Sequence, residues 1–184
     1  KADPGWKPGE REWVNPSPNA PNVSMARCYP GTVMLEGTTL SEGRGTTRPL
    51  EIFGARDLQS EKLLKKMNAI APAWLKGCRL RPCWFEPTFH KHVGKLCSGV
   101  QIHVEDAAYD PEAFRPWRLM ALAFKALRAL RPDYPLWRDF AYEYEQGRVA
   151  IDVINGGERL RQWVDDAGAQ PGDLDAIARQ DEQS

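Results

Sequence analysis

Long apolar runs are missing from this chain of 184 residues, and none approaches the about 20 residues that a membrane-spanning helix requires. Net charge is missing as well. With 25 basic residues set against 25 acidic ones, no global field recruits nucleic acid or an anionic membrane surface. No low-complexity tract and no internal repeat is present. The 15 prolines and 15 glycines are dispersed and point to many loops within one domain large enough to bury a substantial core. Cysteine is scarce: the four residues at 28, 78, 83 and 97 allow three complete pairings, which the sequence leaves open. No C-x2-C pair occurs, so Cys78, Cys83, His90, His92 and Cys97 lack the close ligand spacing of a structural zinc site. Buried free thiols are the expectation, with no metal and no cofactor. No leader pattern is visible, and the chain reads as beginning inside a longer protein, which leaves its compartment open.

What is present centres on Tyr29–Ala55. Gly43 and Gly45 flank Arg44 in Ser41-Glu42-Gly43-Arg44-Gly45-Thr46. Glycine permits left-handed backbone and close approach of a ligand. Between the two sits a planar guanidinium suited to a carboxylate or phosphate, with Glu36, Glu42 and Glu51 expected around it. The competing reading of the same residues is a tight turn holding a structural ion pair.

In chain order, residues 1–27 read as an extended arm, because Pro4, Pro8, Pro16, Pro18 and Pro21 forbid a continuous helix. Trp6 and Trp13 would anchor it. Residues 28–184 form the domain proper. Pro30-Gly31 suggests a turn and Val33–Leu35 a short strand. A helix is expected from Leu58 to Ala71, with Asp57 as its N-cap and Pro72 at its end. Strands follow at Arg79–Glu86, where Pro82 favours an edge position, and at Gly99–Glu105. In the latter, Val100, Ile102 and Val104 alternate with Gln101, His103 and Glu105. The longest helix is expected over Ala113–Leu130, its Arg118, Lys125 and Arg128 forming a solvated basic row. Tyr142–Glu145 alternates like an exposed strand or extended loop. Asn155-Gly156-Gly157 turns into a helix with Leu160, Trp163, Val164 and Ala167, stopped by Gly168, and Pro171 opens a last helix. The interleaving predicts a compact α/β or α+β layered domain with a small sheet and packed helices.

Several stretches together resemble one bacterial family. They are Asn15–Asn19, Tyr29-Pro30-Gly31, Leu35-Glu36-Gly37-Thr38, Leu40–Thr46, Lys91-His92-Val93-Gly94, Cys97-Ser98-Gly99-Val100, Tyr142–Glu145 and Ile151–Gly156. Nearly the whole chain is covered. The family, long known only as a domain of unknown function, is that of NamZ-type exo-β-N-acetylmuramidases, which remove N-acetylmuramic acid from non-reducing ends of peptidoglycan fragments. The resemblance implies a peptidoglycan-derived sugar as ligand. It also implies a Rossmann-like N-terminal domain that this chain lacks, a site between the two domains, and a catalytic acid in the absent one. The chain would then supply one wall of the substrate cleft and be inactive alone. A non-catalytic carbohydrate-binding or partner-docking module is the alternative.

No residue here is assigned as catalytic. For substrate binding the candidates are Glu36, Ser41, Glu42, Arg44, Thr46, His92, His103, Tyr142 and Glu143. Arg44 would meet the lactyl carboxylate that sets muramic acid apart from glucosamine, with Ser41 and Thr46 adding hydroxyls. Tyr142 and Glu143 would offer a ring face and an acceptor to a pyranose. His92 lies in the loop Pro87–Lys95, where histidine can donate, accept or shuttle protons. His103 reaches a ligand only if its strand face borders the cleft, and is otherwise solvated.

Overall fold

Strand β3, Cys97–His103, is the middle of a three-stranded antiparallel sheet ordered β1-β3-β2, with β1 at Ile52–Ala55 and β2 at Arg79–Phe85. The computed structural model describes residues 10–105, 107, 109–140, 142–145 and 147–181. Register is set by Phe53 opposite Val100 on one side of β3 and Leu80 opposite Ile102 on the other. Alternation in β3 sends Val100 and Ile102 into the main core. The other face is covered too, for Cys97 packs in a small cluster with Ile52 and Phe85, and Gln101 is buried. Pro82, which has no N–H to give a ladder, sits on the edge strand as expected.

Six helices are described: α1 Val23–Thr32, α2 Ser60–Ile70, α3 Pro116–Leu130, α4 Ala150–Ile154, α5 Arg159–Asp165 and α6 Pro171–Asp181. The core lies where Leu63 and Met67 of α2 and Leu119, Met120, Phe124 and Leu127 of α3 meet Val100 and Ile102 of the sheet. Burial of these side chains contributes about 1.5–3 kcal/mol each.

Three local expectations fail here. The arm is shorter than its prolines suggested: α1 begins at Val23, where Asn22 Oδ1 accepts the Met25 N–H at 2.7 Å. Pro30-Gly31 lies inside this helix, and Gly31 has no Cβ because one would strike the Pro116 carbonyl at the start of α3. Val33–Leu35 is not a strand. The chain runs on from α1 into a 3-10 turn, Val33–Gly37, which buries Met34 and Leu35 together and leaves the Glu36 side chain partly open. A three-residue apolar run suits either geometry, and continuity with α1 decides.

Helix α2 is entered through Gln59 without a side-chain cap, while Asp57 pairs instead with Arg131 at 2.7 Å. Nor is the basic row of α3 solvated. Lys125 is buried, donating to the carbonyls of Trp163 (2.7 Å) and Asp166, while Arg118 binds Asp175 and Arg128 binds Asp165, each at 2.8 Å. These cations clamp α5 and α6 onto α3. Helix α5 stops before Ala167, and Asp166 Oδ1 receives the Gly168 N–H. Trp13 donates its indole N–H to Ala20 O at 2.9 Å and so closes its own loop; Trp6, Pro4 and Pro8 lie outside the described residues. The four cysteines are free thiols, and burial pushes Cys78 and Cys97 up to about 11.

Candidate functional site

Two distant segments are brought together by main-chain pairing. Thr38 bridges Trp137, Thr39 N–H donates to Leu136 O, and Arg138 N–H donates to Gly37 O. This lays residues 136–140 and Tyr142 beside the turn that carries Glu36. Alternate residues Arg138, Phe140 and Tyr142 meet there, with the Arg138 guanidinium 3.6 Å from the Phe140 ring centre and the Tyr142 ring edge-on to Phe140.

Glu36 is the hub. Its Oε1 accepts from Arg44 Nη2 at 2.6 Å and its Oε2 from the Tyr142 hydroxyl at 2.8 Å. Burial, then the hydrogen bond to Glu36, raises the Tyr142 phenol pKa, so it stays a donor. Beneath lies Glu42, whose side chain is fully buried. Arg44 Nε (2.9 Å), Lys91 Nζ (2.7 Å) and His90 Nδ1 (3.2 Å) surround its carboxylate. Burial alone would raise the Glu42 pKa, but the Lys91 charge and its hydrogen bond outweigh it, and the net shift is downward. Lys91, largely buried, donates to Leu35 O and Thr38 O at 2.7 and 3.1 Å. Burial lowers its pKa against the pull of Glu42. For Arg44, burial is opposed by Glu36 and Glu42, and the shift is upward.

Above this network opens a cavity of about 320 Å³ floored by Glu36 and Arg44, with His90, Arg138, Phe140, Tyr142 and Glu143 as walls. Two of its walls hold strained backbone: His90 has φ +68° and Glu143 φ +54°, while His92 nearby has φ +59°. Such conformations cost about 1–3 kcal/mol each in non-glycine residues and gather at functional sites. Gly43 and Gly45 adopt φ +72° and +78°, as their loop requires. Arg44 also borders a second, more apolar groove of about 370 Å³ between the arm and α1, lined by Trp13, Met25, Tyr29 and Leu50.

The other candidates fall elsewhere. Ser41 Oγ accepts the Gly43 N–H, and Thr46 Oγ donates to Gly43 O while accepting from Arg48 N, so both hydroxyls close the loop. His92 Nε2 meets Thr39 O at 2.9 Å, a loop-holding contact. Glu51 is not near Arg44 but takes Arg48 and Asn22. His103 pairs with Glu105 at 3.4 Å in that separate network and does not line the cavity. Tyr142–Glu145 is a tight turn closed by a Tyr142–Glu145 bridge, which turns Tyr144 fully to solvent. Missing from the candidates were His90 and Lys91, whose contacts with Glu42 nothing in the sequence marks, and Arg138 and Phe140, whose only signal is their two-residue spacing before Tyr142. Among the described residues no group of three or more His, Cys, Asp or Glu could hold a metal ion, and no helix is long and apolar enough to cross a membrane.

Chemically, the cavity offers an acceptor carboxylate locked by two donors, a cation on an aromatic shelf, a phenol and an exposed carboxylate. That mixture of ring faces and charged hydrogen-bonding groups suits a polar ring compound. Comparison with known proteins gives it a context. The peptidoglycan β-N-acetylmuramidase NamZ of Bacillus subtilis (strain 168) is 47% identical over 94 residues, which is 51% of this chain and 22% of that protein. Two DUF1343 family crystal structures from Bacteroides fragilis NCTC 9343 share the fold. One has TM-score 0.66 and 23% identity over 94% of this chain and 44% of its own; the other has 0.60 and 20% over 91% and 39%. The chain thus spans less than half the length of these relatives. The sequence model of the C-terminal region of the exo-β-N-acetylmuramidase NamZ matches residues 27–184, and the chain belongs to that family.

Proposed function

We propose that this chain forms one wall of a sugar site in a peptidoglycan β-N-acetylmuramidase, with Glu36 at its centre. One observation carries the reading. Glu36 is held by Arg44 and Tyr142 at the floor of an open cavity, and the support beneath it is an ion cluster in which a fully buried Glu42 meets the partly buried Lys91 and Arg44. Burying that much charge is costly, and fixing a functional carboxylate from below is a reason to do so. Membership in the NamZ family supports a muramyl ring as ligand. In this arrangement Glu36 accepts a sugar hydroxyl or steadies positive charge developing at the ring, while Tyr142 and Arg44 hold its orientation.

A second reading, a carbohydrate-binding wall without its own chemistry, is favoured by one feature. Both Glu36 oxygens already accept hydrogen bonds, and the other carboxylate lining the cavity, Glu143, is exposed at the rim. The test is titration of the chain with methyl N-acetyl-β-muramide, followed by NMR. Binding is expected, and Glu36→Gln should weaken it by about tenfold or more at unchanged melting temperature. A chain that binds no muramide, or a Glu36→Gln variant that binds as well as the parent, overturns the sugar site.

A further inference from the structure

Within the same cavity the two arginines differ in what they have left to give. Arg44 has Nη2 on Glu36 and Nε on Glu42, so two of its three nitrogens are spent on the protein's own carboxylates. Arg138 is half-buried, and among the described residues no carboxylate oxygen lies within ion-pair distance of it. Among the described residues its one side-chain hydrogen bond is a long 3.4 Å approach of Nη1 to the Glu36 carbonyl. A half-buried guanidinium without a counter-charge is unusual, because desolvating a cation is offset only by pairing it. The excess charge is felt nearby, where Arg138 is among the groups that depress the Lys91 pKa.

The position of that guanidinium is nonetheless well defined. Its main-chain N–H is fixed to Gly37 O, and its plane rests on Phe140, a stacking that arginine favours and lysine cannot reproduce. Phe140 is in turn buttressed edge-on by Tyr142. The result is a cation held rigidly at the cavity wall with its donor edge uncommitted, the geometry that bidentate carboxylate recognition needs.

We propose that Arg138 is the carboxylate-binding residue of this cavity, and that its ligand group is the acidic side arm of the bound sugar, the lactyl ether carboxylate of a muramyl ring. This rests on the sugar-site reading above and transfers to Arg138 the role that the sequence suggested for Arg44. Arg44 instead sets Glu36 in place. The carboxylate then distinguishes a muramyl from a glucosaminyl ring through Arg138, while Glu36 and Tyr142 handle features common to both.

The test uses three ligands of one shape class: methyl N-acetyl-β-muramide, its carboxamide, and methyl N-acetyl-β-glucosaminide. The parent chain should prefer the carboxylate over the carboxamide by about tenfold or more, the range expected for a charge-assisted pair. Arg138→Gln should bring that ratio near unity, Arg138→Lys should retain part of it, and Phe140→Leu, which keeps the cation but removes its shelf, should reduce it. Arg44→Lys should weaken all three ligands together and leave the ratio intact. Melting curves identify any variant that has lost its fold, and Arg138→Lys with Phe140→Leu then decide. A parent that binds the muramide without preferring it to the carboxamide overturns the proposal and leaves the sugar site standing. So does an Arg138→Gln variant with its ratio intact, or an Arg44→Lys variant in which the ratio collapses. A parent that binds none of the three overturns the sugar site itself.

Discussion

At the level of single residues, the Glu42–Lys91 pair is the most consequential arrangement in the molecule. Glu42 is sealed from solvent and Lys91 largely so, and each favours the charged form of the other. Lys91→Met would leave Glu42 buried with only Arg44 and His90 on one oxygen, and the expected loss is about 3 kcal/mol, the low end for breaking a buried pair. The pH dependence gives the sign. Glu42 has a lowered pKa in the folded chain, so its contribution is fully present above the ordinary value of 4.5 and fades as pH falls through the folded value. Denaturant titrations of parent and variant should therefore differ most near neutrality and converge only as the pH falls below 4.5 and through the lowered folded value, where Glu42 takes up a proton. A gap that does not narrow as the pH falls into the acid unfolding range would show that packing, not charge, explains the loss. Arg44 with Glu36 and Glu42 was legible in the sequence because all three lie within nine positions of one another. Arg138 was not, since it reaches Glu36 across a separation of 102 residues, through main-chain pairing that no local pattern announces.

At the level of elements, legibility followed how much of an element's environment is local. Strand β3 was readable because a period of two over Val100, Ile102 and Val104 has one physical meaning, and Pro82 placed β2 at an edge. The basic row of α3 misled because its partners Asp165 and Asp175 lie 37 and 57 positions away, so a helix clamp looks like a solvated face. The glycine-rich loop was read as backbone that a ligand approaches closely; its left-handed glycines are there, but at Gly45 what approaches is the protein itself. A Cβ on Gly45 would lie 2.6 Å from Thr88 N and 2.7 Å from Phe89 N, in the loop that delivers His90 and Lys91. Gly45→Ala should thus cost more than the backbone strain alone, about 2–4 kcal/mol in urea denaturation, and should weaken sugar binding as the Lys91 loop is pushed away. Gly156→Ala is the control, with nearly the same φ of +80° but open space around the added methyl. It should cost about 1 kcal/mol and leave binding alone. Equal losses in the two variants would mean that the close contact at Gly45 contributes nothing.

For the whole molecule, the layered architecture followed from interleaved periodicities, and membership in the NamZ family rests on residues 27–184. What the chain can do alone is a question of proton inventory. Cleaving a glycosidic bond takes two carboxyl groups on opposite sides of it, one of them able to donate a proton to the leaving oxygen. Here Glu36 accepts hydrogen bonds on both oxygens, Glu42 is sealed beneath it, and Glu143 stands exposed at the rim. None of the three is arranged as a proton donor to a ligand on the floor, and the chain spans only 44% and 39% of the solved relatives. The chain by itself should therefore bind a muramide yet turn over a chromogenic β-N-acetylmuramide slowly. The expected deficit against a protein carrying the relatives' full length is roughly 10²–10⁴-fold, the contribution of a positioned general acid. Side-by-side initial rates at matched concentrations decide the matter. A rate within tenfold of the longer protein would mean that this wall holds its own acid, and Glu143→Gln would then be the variant that abolishes it.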